Sequence, residues 1–301
     1  MAVRSATPAR TGSTPARAAT TPGRSPGWLR AWVSDRLAMA VAGLVLLYLF
    51  LPVGYTFVFS FNNYTKSNIV WNPAGSPTFK HWAHPCAPEG LCESLVTSLE
   101  VAVLATLIAT VIGTMLAFAL VRHRFSGRGA ANLLVFLPMA TPEIVLGASL
   151  LTIFVQGFTR IGLQLGFWTI VIAHVMFVVS FVVVSVKARL QSLDPRLEEA
   201  AQDLYADPGT TFRRVTFPLA LPGIISGALL SFALSFDDFI ITNFVSGGVN
   251  TFPKYVYVSY LRGIPAEANV IGFSMFAIAV LLVLAAQLIG DVRRRRALRA
   301  C

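Results

Sequence analysis

The chain has 301 residues, of which 55% are hydrophobic and only 13% charged, with a mean hydropathy of +0.67 and a formal net charge of +10. Soluble domains carry about 25% charged residues, so the composition excludes an ordinary soluble protein and indicates an integral membrane protein. The positive charge flanks apolar segments, where anionic lipid headgroups are the natural partner, and nucleic-acid binding is a poor explanation for it.

Residues 1–36 are rich in Ala, Arg, Ser, Thr and Pro, with no acid before Asp35. That composition predicts a disordered basic tail; an organellar transit peptide has a similar one. Arginine far outnumbers lysine, as GC-rich bacterial coding would give. A bilayer-spanning helix needs about 20 mostly apolar residues, and six stretches qualify: 38–61, 95–121, 131–155, 167–186, 217–245 and 268–290. The first is too long for a signal-peptide core and has no A-x-A cleavage site before Pro52. The expected organisation is a tail over 1–36, a membrane domain over 37–291 and a basic tail over 292–301.

The loop after the first span holds Cys86 and Cys92. An oxidising compartment permits a disulfide between them; two free thiols are the alternative. His81 and His84 lie just upstream, but the H-x-x-H-x-C-x5-C spacing matches no common metal pattern. In the third span, Pro138 and Pro142 predict a kink, and Glu143 follows it. A carboxylate at such a break either lines a cavity or caps the exposed amides. In the fourth span, His174 reads as a packed neutral ring bonded to a neighbour.

Between the fourth and fifth spans lies a polar island, 194–218. Asp194-Pro195 is a good helix start, and Glu198 and Glu199 sit near the positive end of the helix dipole. Leu197, Ala200, Ala201 and Leu204 form a small stripe at helical spacing. Asp207-Pro208-Gly209 is expected to break the helix, with a second short helix at about 210–215 and Pro218 opening the fifth span. The alternatives are an amphipathic elbow resting on the membrane and a docking surface for another protein. Acids and bases flanking an Ala face suit the second.

In the fifth span, Gly227, Ser231, Ser235, Asp238 and Thr242 share one helical stripe, which should face the protein interior or a water-filled path. Intramembrane acids rarely face lipid. Asp238 is therefore the preferred pathway residue, with Asp237 second. Pairing of these acids with Lys254 or Arg262 is the structural alternative. Phe236, Phe239 and Tyr260 are candidate aromatic partners for a cation.

Of the 24 Lys and Arg residues, 19 lie in the two tails, the second loop and the fourth loop, and 5 in the other loops. Basic loops stay in the cytoplasm, so both termini are expected inside. None of the four lysines sits in a G-x-x-x-x-G-K-[ST] phosphate loop, and H-E-x-x-H and G-x-S-x-G are absent. No nucleophile and base pair marks a membrane enzyme. No internal repeat favours a secondary transporter driven by an ion gradient.

The island resembles the EAA loop of ABC importer permeases. Glu199-Ala200-Ala201 matches, as does the interval ending at Val215-x-Phe217-Pro218, while Tyr205 stands where that family has Gly. Gly209, after Pro208, is expected to supply the turn instead. Leu137–Gly147, Ser235–Thr242, Phe244–Gly247 and Tyr257–Asn269 resemble the polyamine (spermidine/putrescine), PotC/PotI-like branch; permeases for iron, phosphonate, sulfate or molybdate share parts of these strings. The resemblance implies an all-α, six-span, type I importer permease of MetI-like architecture in the bacterial plasma membrane. It implies no catalysis and no cofactor in this chain, since ATP and Mg would be used by an ATPase dimer. It also implies a second, PotB/PotH-like permease subunit and an extracytoplasmic solute-binding protein. Glu198, Glu199, Ala200, Ala201, Tyr205, Gly209 and Pro218 would then form the ATPase-coupling loop, and Asp238, Glu143 and Asp237 the substrate pathway.

Overall fold

In lipid every backbone N–H and C=O must be satisfied within its own segment, so long apolar runs become helices. A computed structural model describes residues 27–299, apart from 65–66, 159–161 and 163. The tail up to residue 26, Lys66, Arg160 and Cys301 lie outside the described residues. In chain order the helices are α1 (Gly27–Phe59), α2 (Lys80–Ala83), α3 (Leu91–Arg122), α4 (Arg128–Ala140), α5 (Glu143–Ile153) and α6 (Phe167–Gln191). They continue with α7 (Arg196–Asp203), α8 (Pro208–Thr211), α9 (Phe217–Asp237), α10 (Ile240–Val245), α11 (Phe252–Arg262) and α12 (Ala266–Arg299). Helix α1 begins at Gly27, inside the expected 1–36 tail, and α12 runs to Arg299, past residue 292.

Among the described residues, five segments are long and apolar enough to cross a membrane: 36–59, 91–122, 167–191, 208–237 and 266–290. The expected third span is instead a bent pair, α4 and α5, meeting at 107°. The bend falls at Thr141-Pro142, where Thr141 turns extended and Pro142 has no N–H to continue the ladder. The expected fifth span, 217–245, also divides. It stops at Asp237, and α10 starts afresh at Ile240.

By contact the chain forms two units, 1–54 and 55–301. In the first, the side chains of residues 36–52 are exposed on every side of α1, as suits a helix surrounded by lipid. In the second, α3, α6 and α9 pack together as the core. The α3 face is built of small residues: Ala102, Ala105, Ala109 and Ala117 are fully buried. At Gly113 an added Cβ would lie 2.7 Å from the Val182 side chain, so only glycine permits this approach. Close backbone packing of this kind drives helix association where lipid removes the hydrophobic difference. Helix α6 is the centre, contributing Ile170, Val171, Val178, Val182, Val183 and Val186.

The connection between α1 and α3 is tied to the start of α12. His81 Nδ1 lies 2.8 Å from Glu267 Oε1, and the Tyr64 hydroxyl donates to Glu267 Oε2 at 3.3 Å. Burial and the Glu267 carboxylate push the Tyr64 phenol up to about 12. Cys86 and Cys92 are joined in a disulfide, with Cα atoms 5.4 Å apart.

Candidate functional site

Two regions carry the candidate residues: the polar island and the break between α9 and α10. The island begins at Asp194, whose Oδ1 accepts from the Arg196 amide at 3.0 Å. Helix α7 ends in a Schellman arrangement. The Ala206 amide donates to Ala201 O at 3.1 Å, and the Tyr205 amide to Gln202 O at 2.8 Å. That closure demands a left-handed residue, and Tyr205 takes it, with φ 62°. The turn therefore falls at Tyr205 itself, correcting the expectation that Pro208-Gly209 would supply it. A non-glycine residue in this region costs roughly 1–2 kcal/mol.

Gly209 lies within α8 and is not left-handed. Asp207 caps α8, its Oδ2 accepting from the Thr210 amide at 3.1 Å. Hydrogen bonds from the Thr210 side chain and amide hold the Asp207 carboxyl below its usual range. The second short helix is not free-standing. It passes through a π-helical turn, Phe212–Thr216, straight into α9. Pro218 has no N–H for a bond to Arg214, and the wider turn shifts the preceding bond, so that Phe217 N reaches back to Phe212 O.

Within the loop, Glu199 and Ala200 are exposed and Ala201 is half-buried. Glu198 points the other way. Its Oε1 accepts from Arg122 Nη2 at 2.6 Å and from the Thr216 hydroxyl at 2.8 Å. It thus ties α7 to the end of α3 and the foot of α9. The Phe212 ring packs on Phe118 with centroids 5.4 Å apart. Gly209 and Pro218 are exposed, and Tyr205 is 99% exposed at the apex.

At the break after α9, the two aspartates differ in burial. The Asp238 side chain is only 2% exposed. Its Oδ1 accepts from the Ile241 amide at 3.3 Å, and its Oδ2 from the Thr242 amide at 2.9 Å and hydroxyl at 3.0 Å. It therefore satisfies the first amides of α10. His174 Nε2 stands 3.2 Å from the same Oδ2 and 2.9 Å from the Thr242 hydroxyl, while its Nδ1 meets Ser235 Oγ at 2.8 Å. If Nε2 carries the proton toward Asp238, Nδ1 accepts from Ser235. Ser235, His174 and Asp238 are all buried, and the network joins α6, α9 and α10. The whole stripe from Gly227 to Thr242 is interior: the Ser231 hydroxyl, for example, donates to Val178 O at 3.3 Å.

Asp237 is exposed. It lines a cavity of about 820 Å³ with Phe232, Phe236, Phe239, Phe252, Val256 and Met275 among its walls. Phe239 packs on Tyr257 at 4.5 Å between centroids; Tyr260 does not line the cavity. Glu143 is exposed in the first turn of α5. Helix α5 packs against α10, and a Cβ on Gly147 would lie 2.7 Å from the Phe244 ring. Lys254 does not pair with either aspartate. Its ammonium donates to Ser246 Oγ at 2.7 Å, Val249 O at 3.0 Å and Gly247 O at 3.2 Å, and burial lowers its pKa.

Sequence reasoning placed His174 correctly as a bonded, packed ring but did not find its partners, which lie more than 60 residues away. It also missed the Arg122–Glu198 pair. A lone Arg at a helix end gives no signal of its own.

Comparison with known proteins places these regions in context. The family model described as binding-protein-dependent transport system inner membrane component matches residues 109–298. The chain is 35% identical over 246 residues to the spermidine/putrescine transport system permease protein PotC of Escherichia coli (strain K12), covering 81% of this chain and 90% of the relative. It is 36% identical over 261 residues to the putrescine transport system permease protein PotI of the same strain, covering 85% and 88%. Among solved structures it resembles a bacterial ABC transporter involved in the import of the acidic polysaccharide alginate. There the TM-score is 0.61 at 16% identity, over 88% of this chain and 99% of that one. It also resembles the MetNI methionine ABC transporter in inward-facing conformations, with a TM-score of 0.52 at 19% identity, over 67% and 93%.

Proposed function

The chain belongs to the binding-protein-dependent transport system inner membrane components, and we propose that it forms one half of a polyamine pathway in an ATP-driven importer. It is a multi-pass permease subunit, a transport component and not a catalyst. The polyamine reading is supported by the spermidine/putrescine permeases to which it is similar. The observation that carries it within this chain is Asp237, an exposed carboxylate on an aromatic-walled cavity. A protonated polyamine gains from both parts: the carboxylate attracts an ammonium, and ring faces stabilise it through their quadrupoles. Glu143 adds a second exposed acid on the neighbouring bent pair.

In this reading the basic tails and the island lie in the cytoplasm, as the charge bias supports. A solute-binding protein delivers cargo to the opposite face, where the Cys86–Cys92 disulfide suits an oxidising compartment. A second, PotB/PotH-like permease chain completes the pathway walls. The ATPase dimer binds and hydrolyses ATP with Mg. Its closure moves the island, and Glu198 passes that motion to α3 and α9 through Arg122 and Thr216. Because α6 and α9 are locked by the buried His174 network, they move together, shifting Asp237 between outward and inward access.

Glu199→Arg tests the docking. It reverses an exposed charge without touching the core, so the chain should still insert while co-purification with the ATPase and uptake both collapse. Retention of both would remove the docking role.

A further inference from the structure

Tyr205 is the one non-glycine residue with positive φ among the described residues. The residue is 99% exposed, and Leu204 beside it is 83% exposed. Folding of this chain gains nothing from that ring. Glycine or asparagine would close the same turn with less strain. A large side chain held in a disfavoured backbone conformation and left uncovered has its use outside the chain.

Two occupants compete for it, a bilayer surface and a protein. The exposed charges of residues 194–218 are four carboxylates and three guanidiniums. Segments that rest on anionic lipid carry a basic surplus, and this one does not. The apex is also narrow, two apolar side chains on a tight turn flanked by charged and small residues, which fits a pocket better than a plane.

We propose that Tyr205, with Leu204 beside it, is the anchor of the permease on its ATPase, the ring entering an apolar pocket on that subunit deep enough for an aromatic side chain. The inference rests on the reading that the island docks on the ATPase, and it adds the chemistry of the contact. Buried aromatic anchors dominate the energetics of protein interfaces, and Tyr offers a large rigid surface with a polar tip for the pocket floor or rim. It follows that an ATPase lacking the pocket is rejected by steric clash, so the residue selects the partner as well as holding it.

The test uses the intact transporter in detergent and compares wild type with Tyr205→Gly, Tyr205→Asn and Tyr205→Phe. The Gly and Asn variants relieve the backbone, so thermal stability of the permease should hold or rise. Both should bind the co-purifying ATPase about tenfold more weakly or worse, while Tyr205→Phe stays near wild type. Unchanged ATPase affinity in the Gly and Asn variants overturns the proposal. Glu199→Arg in the same assay separates the two ideas. If it alone abolishes binding, docking stands without the anchor; if none of these variants weakens binding, both fail. For the bilayer alternative, Tyr205→Cys is labelled with an environment-sensitive fluorophore in phosphatidylglycerol and phosphatidylethanolamine vesicles. A blue shift on adding the ATPase supports the anchor, whereas the same shift with lipid alone assigns the ring to the membrane.

Discussion

Asp237 and Asp238 are adjacent, acidic and predicted to lie in the same span, yet their surroundings differ completely. Asp238 is enclosed by amides, a hydroxyl and His174, whereas Asp237 opens on aromatic walls. Asp237→Asn should raise the KM for polyamine about tenfold, the equivalent of roughly 1.4 kcal/mol for a lost charge contact, with expression and melting temperature unchanged. Asp238→Ala should instead lower thermal stability, since it leaves buried donors of α10 unsatisfied, at about 1–3 kcal/mol for each. Melting curves and uptake kinetics on both variants check this, and the reverse pattern would return Asp238 to the pathway. The helical period of Gly227, Ser231, Ser235, Asp238 and Thr242 was enough to turn that stripe inward. It could not tell a helix contact from a water path, because both select small and polar residues. The placement of His174 on α6 adds the helix contact that the period could not show.

At the scale of elements, the helical character of the island was legible from its caps, acids and prolines. Its turn was not. Glycine preference placed the bend at Gly209, but the six-residue closure between Ala206 and Ala201 put it at Tyr205, against local propensity. The bend between α4 and α5 was foreshadowed by Pro138 and Pro142, while its 107° depends on packing that no local pattern encodes. The cap on α8 gives a pH test. Thr210 hydrogen bonds hold Asp207 below its usual range, so the folded loop favours the carboxylate. That stabilisation is fully present above the ordinary Asp value of about 3.9 and is lost as pH falls through the lower folded value. Amide exchange at Thr210 should accordingly stay protected below pH of about 4 and accelerate under stronger acid. Asp207→Asn should remove that acid-dependent step.

Over the whole molecule, apolar length and basic-loop bias in the sequence anticipated a multi-pass helical protein, and similarity to the polyamine permeases extends over 81% of the chain. What sequence could not supply was the division of labour among its carboxylates. Glu198 braces the loop, Asp238 locks the core, and Asp237 and Glu143 stay open. The proposed function assigns that division to transmission: an exposed island, a packed α3–α6–α9 core, and an aromatic-walled cavity with an exposed carboxylate at the end of α9. The most direct measurement is uptake of radiolabelled spermidine into vesicles reconstituted with the complete transporter and its binding protein. The account expects saturable accumulation that requires ATP on the island side and polyamine-loaded binding protein on the other. Accumulation driven by an ion gradient without ATP, or ATP hydrolysis indifferent to polyamine, would contradict it.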